Sequence, residues 1–377
     1  MKKIKAALVG LGFGGAFAEI YKEHPDVSEI VIFDPNKKLE KEFCDAFGLK
    51  APYNSFDEIL NDDTVDAVHL VSPIPCHEEQ TVKVLNAGKH CACTVPMATS
   101  LEGLRKIVEA KRKSGKNFMM METSLYTYQF FYVKKMLESG EMGRIQFLRG
   151  SHYQDMEKWP DYWMGLPPMF YGTHAIAPMT VLAGARASKV NCFGSGTMRE
   201  ELVRRYGNPY PIETAVFQFD NGLKGEVTRS LFETARVYKE GMAVLGSKKS
   251  FEWGFEDNSD PYVTSLMENN DSNDRGLPTP YEVIKTPNYY DDLPQSLRRF
   301  TVGDNYDATN PQESLKVGAG AGHHGSHPHL VNEFVRSIIE ERKPWIDELL
   351  GAQITACGIC AHESAMRDGE TVYIPRF

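Results

Sequence analysis

The 377-residue sequence predicts an α/β chain, a parallel sheet wound by helices followed by an α+β domain with a large, open, mostly antiparallel sheet. Two observations carry that prediction. The first third alternates short apolar runs with amphipathic stretches, the pattern of a parallel sheet covered on both faces. After about Tyr126 the apolar runs are joined by tight polar turns, Asp220-Asn221-Gly222 and Gly246-Ser247-Lys248-Lys249, the pattern of hairpins.

Taken in order, Ile4–Val9 predicts a strand and Ala16–Lys22 a helix. Ile30–Phe33 is the next strand, Val65–Val71 another, and a helix then runs through Lys83 to Asn86. His90–Thr94, the helix Leu101–Ser114 and the strand Asn117–Glu122 close the series. The boundary is placed there, giving domains 1–122 and 123–377. In the second, Phe130–Glu138 predicts a helix, and Ile145–Tyr153, Ala215–Phe219, Lys224–Arg229, Met242–Leu245 and Ser250–Trp253 predict strands. The Asp-, Asn- and Pro-rich stretch Phe255–Asn310 is read as long loops, and helices return at His329–Glu341 and from about Leu349 to Met366.

The first strand runs into Gly10-Leu11-Gly12-Phe13-Gly14-Gly15, and the second ends in Asp34, the spacing of a dinucleotide-binding unit. Gly10 permits the tight turn, Gly12 lets the backbone approach a pyrophosphate, and Gly15 lets the helix pack close on the strand. The helix N-terminus then faces the phosphates. Asp34 accepts from the ribose hydroxyls and repels a 2′-phosphate, which favours NAD over NADP, although Asn36-Lys37-Lys38 can soften that preference. In such a sheet the ligand lies beyond the carboxyl ends of the strands. That marks Ser72, Pro73 and His77, Thr94 and Pro96, and Glu122 as cofactor-side residues, with Pro96 shaping the chain through a cis bond.

Net charge of −9, with no basic block, argues against nucleic acid as a partner. No apolar run approaches a membrane span. Lys2, Lys3 and Lys5 followed by an apolar stretch are read as the nucleotide-binding strand rather than a secretory leader, so cytoplasm is the expected compartment. The seven cysteines, an odd and scattered set, predict free thiols, buried in the case of Cys357 and Cys360. The run Gly318–His329 offers His323, His324, His327 and His329 but no local carboxylate or thiolate. It is read as a substrate-side loop with one or two pocket histidines, and no metal is expected.

These motifs, with Gly88-Lys89-His90 and Gly172-Thr173-His174, resemble the Gfo/Idh/MocA family of nicotinamide-dependent sugar oxidoreductases across essentially the whole chain. The resemblance implies a Rossmann domain, an open-sheet substrate domain that often mediates homo-oligomers, nicotinamide at the domain crevice, and a sugar or polyol substrate. Two positions depart from it. Thr94-Val95-Pro96 stands where the family usually has Glu-Lys-Pro, and Phe170 where many members have an aspartate. Tyr171-Gly172-Thr173-His174, followed by Pro178, instead resembles the family's NAD-dependent glycosidase branch, as do Met121-Glu122 and Gly150-Ser151-His152-Tyr153-Gln154-Asp155.

His174 is therefore the expected base, with Tyr171 orienting it, relaying the proton or acting as base itself. Glu122 and His152 are further proton-transfer candidates. Substrate contacts are expected from His152, His174 and the aromatics Trp159 and Trp163, which equally suit packing, as does Tyr162. The leading functional reading is NAD-dependent oxidation of a secondary sugar hydroxyl. The alternative is a redox-neutral glycosidase or lyase that oxidises C3 transiently and eliminates the C1 substituent. A nucleotide-binding regulator without catalysis is a third.

Overall fold

The computed structural model describes residues 3–267, 276–302 and 322–377. The chain divides into two compact units, Met1–Thr127 with Asn288–Ala352 and Phe377, and Tyr128–Pro287 with Gln353–Arg376.

In the first unit β1 (Ile4–Val9), β2 (Val27–Phe33), β3 (Ala67–Leu70), β4 (His90–Cys93) and β5 (Phe118–Met120) form a parallel sheet in the order β2-β1-β3-β4-β5. Leu8, Ile32, Val68, Ala92 and Met119 are buried within it. Burial on both faces explains why these strands read as continuous apolar runs. Helices α1 (Gly15–Glu23), α2 (Lys37–Phe47), α3 (Phe56–Asn61), α4 (His77–Asn86) and α5 (Leu101–Ser114) lie between the strands in sequence. Local chemistry sets their ends. The Ser100 side chain accepts from Gly103 N at the start of α5, and left-handed Gly115 stops it. The strand order reverses beside β1 and β3, which creates the switch point where such sheets bind ligands.

The second unit holds α6 (Tyr128–Glu138), α7 (Thr173–Ala183), α8 (Glu200–Tyr206) and nine strands. These are β6 (Ile145–Tyr153), β7 (Ala187–Ser195), β8 (Ile212–Phe219), β9 (Lys224–Ser230), β10 (Lys239–Gly246), β11 (Lys249–Glu252), β12 (Tyr262–Ser265), β13 (Tyr281–Val283) and β14 (Val372–Tyr373). Their order is β13-β12-β11-β10-β6-β9-β8-β7-β14, with β6 and β9 parallel and the other pairs antiparallel. The stretch Phe255–Asn310, expected as long loops, instead carries regular structure: β12 and β13 extend the sheet from β11, and Gln295–Thr301 forms a 3-10 turn. Residues 268–275 and 303–310 of that stretch lie outside the described residues.

Gly150 and Gly225 bring α7 close to the sheet. A Cβ on Gly150 would sit 2.3 Å from the Ala175 carbonyl oxygen, and one on Gly225 would sit 2.1 Å from Met179 Sδ. Sequence alternation along β6 buries Leu148 and His152 on this face, with Gly150 between them.

Two long helices follow, α9 (Gly322–Ile339) and α10 (Glu348–Ala365). Asn288–Ala352 belongs to the first unit, a return of the chain that the expected division into 1–122 and 123–377 does not contain. Left-handed His323, His324 and Gly325 interrupt the first turns of α9, so regular helix begins several residues before the expected His329. Cys357 and Cys360 are buried free thiols in α10. Among the described residues no helix is long and apolar enough to cross a membrane.

Candidate active site

The glycine-rich turn has a geometry that fits its sequence pattern. Gly10 adopts φ +91°, and a Cβ there would lie 2.6 Å from the Val71 carbonyl oxygen. A Cβ on Gly12 would meet nothing within 4 Å, so the backbone is open to a ligand at that point. Gly14 is also in close contact, since a Cβ there would lie 1.9 Å from the Gly10 oxygen. Gly15 opens α1.

Asp34 holds the turn together. Its carboxylate accepts from Leu11 N and Asn36 N, both at 2.8 Å. Lys37 is turned to Glu40 at 2.8 Å and lies over the Phe33 ring, so its ammonium is already engaged. These residues fit a dinucleotide: an open backbone at Gly12, a helix N-terminus, and a carboxylate fixed at the end of β2.

At the ends of β3 and β4, His77 donates from both ring nitrogens. Nδ1 is 2.8 Å from the Pro96 oxygen and Nε2 is 2.8 Å from the Ser72 oxygen. Carbonyl oxygens only accept, so this geometry suits the imidazolium. Burial lowers the His77 pKa, but the Cys93 sulfur and these carbonyls outweigh it and raise it to about 9. The Ser72 hydroxyl donates to Gln80, Pro73 precedes the turn Ile74–Cys76, and the Thr94 hydroxyl donates to the Leu70 carbonyl at 3.3 Å. The Val95–Pro96 peptide is cis, and Val95 is buried.

Glu122 is fully buried, and its Oε1 accepts from Ser124 N and Oγ at 3.0 and 2.8 Å, capping the turn Thr123–Tyr126. Phe13 of the glycine turn meets His323 and His327 edge-on, with centroids 5.9 and 5.6 Å away. Those two members of the histidine-rich run therefore reach the glycine-turn side. His329 stacks near Tyr126, and burial lowers its pKa to about 4. Residues 318–321 of the run lie outside the described residues.

In the second unit the structure brings His152, Tyr171 and His174 together. His174, on the first turn of α7, has Nε2 3.2 Å from the Tyr171 hydroxyl. The His152 and His174 ring centroids are 5.2 Å apart. His152 and His174 are buried, whereas Tyr171 is half-buried and forms the accessible end of the pair. Trp163 meets the Tyr171 ring at 4.8 Å and Trp159 meets Trp163 at 5.8 Å, so the aromatic loop walls the cluster. Phe170, at the family's usual aspartate position, packs edge-on against His362.

Sequence reasoning missed the rest of this site, which is a row across the sheet. In register, Glu240 of β10 faces His152 of β6, His152 faces Arg229 of β9, and Arg229 faces Glu213 of β8. All four are buried. Arg229 donates to the Tyr171, His152 and Ser230 carbonyls and to Gln154 Oε1, which fixes the backbone beneath both aromatic rings. Burial lowers its pKa to about 10, so it stays charged at neutral pH. Tyr238 donates to Glu240, and burial with that neighbouring carboxylate pushes its phenol well above the usual range. Arg229 and Glu240 are charged residues within otherwise ordinary strand patterns, and nothing local marks them as site residues. Their pairing depends on a register that no local pattern encodes.

Residues 4–122 match the family pattern described as oxidoreductase family, NAD-binding Rossmann fold, and residues 130–252 match the GFO/IDH/MocA C-terminal domain. The chain belongs to the Gfo/Idh/MocA family. Its N-terminal domain is an NAD-binding Rossmann domain. Among relatives of this Gfo/Idh/MocA protein is inositol 2-dehydrogenase of Salmonella typhimurium, 25% identical over 154 residues, covering 40% of this chain and 46% of the relative. Glycosyl hydrolase family 109 protein 1 of Phocaeicola vulgatus is 23% identical over 194 residues, covering 46% and 41%. The matched stretches thus span under half the length of these curated relatives.

Among solved structures, levoglucosan dehydrogenase in complex with NADH aligns with TM-score 0.77 at 21% identity, covering all of both chains. The myo-inositol 2-dehydrogenase of Lactobacillus plantarum aligns with TM-score 0.74 at 18% identity, covering 99% and 100%. At these identities the likeness establishes the fold.

Proposed function

We propose that this protein oxidises a secondary hydroxyl of a sugar or sugar derivative in an NAD-dependent reaction, with the Tyr171–His174 pair accepting the hydroxyl proton. The supporting observation is the 3.2 Å contact between the Tyr171 hydroxyl and His174 Nε2 in a buried polar cluster. A relative named inositol 2-dehydrogenase acts in the same chemical class. NAD, when bound, supplies the hydride acceptor. The chain does the remainder. Asp34 and the Gly10–Gly14 turn fit the dinucleotide, and Tyr171, as the accessible end, takes the substrate proton while passing its own to His174. Trp163 and Trp159 offer aromatic faces to a sugar ring.

No lysine stands at position 95, so the imidazole and phenol carry the proton chemistry that a lysine would otherwise assist. Replacing His174 by Ala removes the final proton acceptor, and a loss of roughly 10²–10⁴-fold in NADH formation is expected. Tyr171→Phe separates relay from direct transfer, because it spares activity only if His174 meets the substrate itself. Turnover in His174→Ala close to that of the wild type removes the assignment.

A second reading is favoured by the number of acid–base groups in the cluster. His152, Tyr171, His174 and Glu240 exceed what one proton transfer needs. Two transfers, as in transient C3 oxidation with elimination at C1, would use them, and family 109 relatives match the chain. Release of an aryl aglycone without accumulation of NADH identifies that route.

We propose further that the protein assembles as a homo-oligomer and works in the cytoplasm. The outer face of the nine-stranded sheet, bearing exposed Phe193 and Val216, supports the homo-oligomer. Light scattering on the purified protein tests the oligomer.

A further inference from the structure

We propose that His152, His174 and Glu240 form a binding site for one divalent transition-metal ion, with open positions for two neighbouring oxygens of the substrate. The three residues come from three elements, β6, α7 and β10, and each is buried. Their ligand atoms all lie within 4.8 Å of one another, and His152 Nε2 is 3.7 Å from Glu240 Oε1. Around an ion with bonds of about 2.0–2.2 Å, neighbouring ligand atoms stand roughly 3.3 Å apart. The His–Glu pair is already near that separation, and side-chain rotation of about 1 Å closes the set.

Two imidazoles and one carboxylate are the donor set of catalytic zinc sites and of the facial triad of non-haem iron. Three protein ligands leave positions free for exogenous oxygens. The surroundings support the set as metal ligands require. Glu240 and His152 are fixed opposite each other by strand register, and Tyr238 donates to Glu240, holding the carboxylate as an outer-shell partner does. Arg229 donates to the His152 carbonyl and so holds the backbone of one ligand. Gly150 permits the close approach of α7 that sets His174 beside His152.

The ligand class follows from the free positions. Adjacent hydroxyls, or a hydroxyl beside a carbonyl, chelate such an ion through two oxygens. Coordination acidifies the bound hydroxyl, whose proton then leaves to water; with the ion bound His174 serves as a ligand, the Tyr171–His174 relay belongs to the metal-free protein, and the ion itself changes no oxidation state. This use of the ion rests on the function proposed above; the site itself does not.

The test is a titration of the full chain, stripped with chelator, with Co(II) and with Zn(II). The expected result is one equivalent of Co(II) bound with visible d–d bands of a low-coordinate site, displaced by Zn(II). Glu240→Gln and His152→Ala should each weaken binding by about 100-fold or more. Tyr238→Phe should weaken it about 10-fold, and it keeps the proposal testable should the ligand variants fail to fold by circular dichroism. Absence of d–d bands in the wild type, or variants that titrate as wild type does, overturns the proposal. A protein that binds cobalt but oxidises no sugar keeps the metal site and rejects the function. One that oxidises sugars after chelation and shows no cobalt spectrum does the reverse.

Discussion

Replacing Gly150 by Ala probes how the proposed catalytic cluster is assembled without touching any of its polar groups. The added Cβ would lie 2.3 Å from the Ala175 carbonyl oxygen and 3.0 Å from its carbon, on the residue that follows His174. Ordinary van der Waals contact begins near 3.4 Å, so α7 must withdraw from β6 by about 1 Å. The obstacle is backbone, which no rotamer change relieves. Overpacking of this kind costs about 1–3 kcal/mol in stability. A displacement of about 1 Å in a positioned catalytic group costs on the order of 100-fold in rate. The expected outcome is therefore a folded protein with a modestly lower denaturation midpoint, unchanged NADH binding to the first unit, and NADH formation reduced about 100-fold. Denaturant titration, NADH fluorescence and initial rates read the three quantities. Wild-type rate and stability in Gly150→Ala would show that α7 does not hold His174 in place through this contact.

Two further predictions concern the first unit. His77 has a folded-state pKa raised to about 9 against 6.5, so its stabilising contribution is complete below about pH 6.5 and is lost as pH rises through 9. That contribution is about 3 kcal/mol. Urea unfolding between about pH 6 and 10 should show this decline in the wild type and a flatter profile in His77→Gln; parallel profiles would contradict the imidazolium. Asp34→Ala leaves the buried Leu11 N–H without its acceptor and removes the ribose-side carboxylate. NADH affinity should fall about 10–100-fold, with a lower melting temperature, and an unchanged fluorescence titration would refute that role.

The nucleotide-binding unit was legible because each of its signals is local. Continuous apolar runs mark doubly covered strands, and glycines mark one turn whose acid follows at a fixed interval. Even there, the close contact of Gly14 with the Gly10 carbonyl was not anticipated, because it depends on the path of the turn in space rather than on spacing. The second unit was legible as strands and hairpins, but β12 and β13 were hidden. They are short strands at one end of the sheet in a polar, proline-rich stretch, held by backbone pairing that leaves little trace in composition. His174, Tyr171 and His152 were found from motif context. Glu240, Arg229 and Tyr238 were not, because strand register across separate chain segments brings them together.

In the proposed reaction a carbon-bound hydrogen of a sugar leaves with the cofactor, and Tyr171 and His174 take the hydroxyl proton. This is tested most directly by supplying inositols, aldoses, anhydrosugars and aryl glycosides deuterated at their secondary carbinol carbons, then weighing the cofactor by mass spectrometry. Deuterium is expected in reduced cofactor released in proportion to oxidised sugar, and this transfer is expected to be lost in His174→Ala. Cofactor that stays oxidised while deuterium returns to the carbohydrate product would contradict net oxidation and select the redox-neutral route.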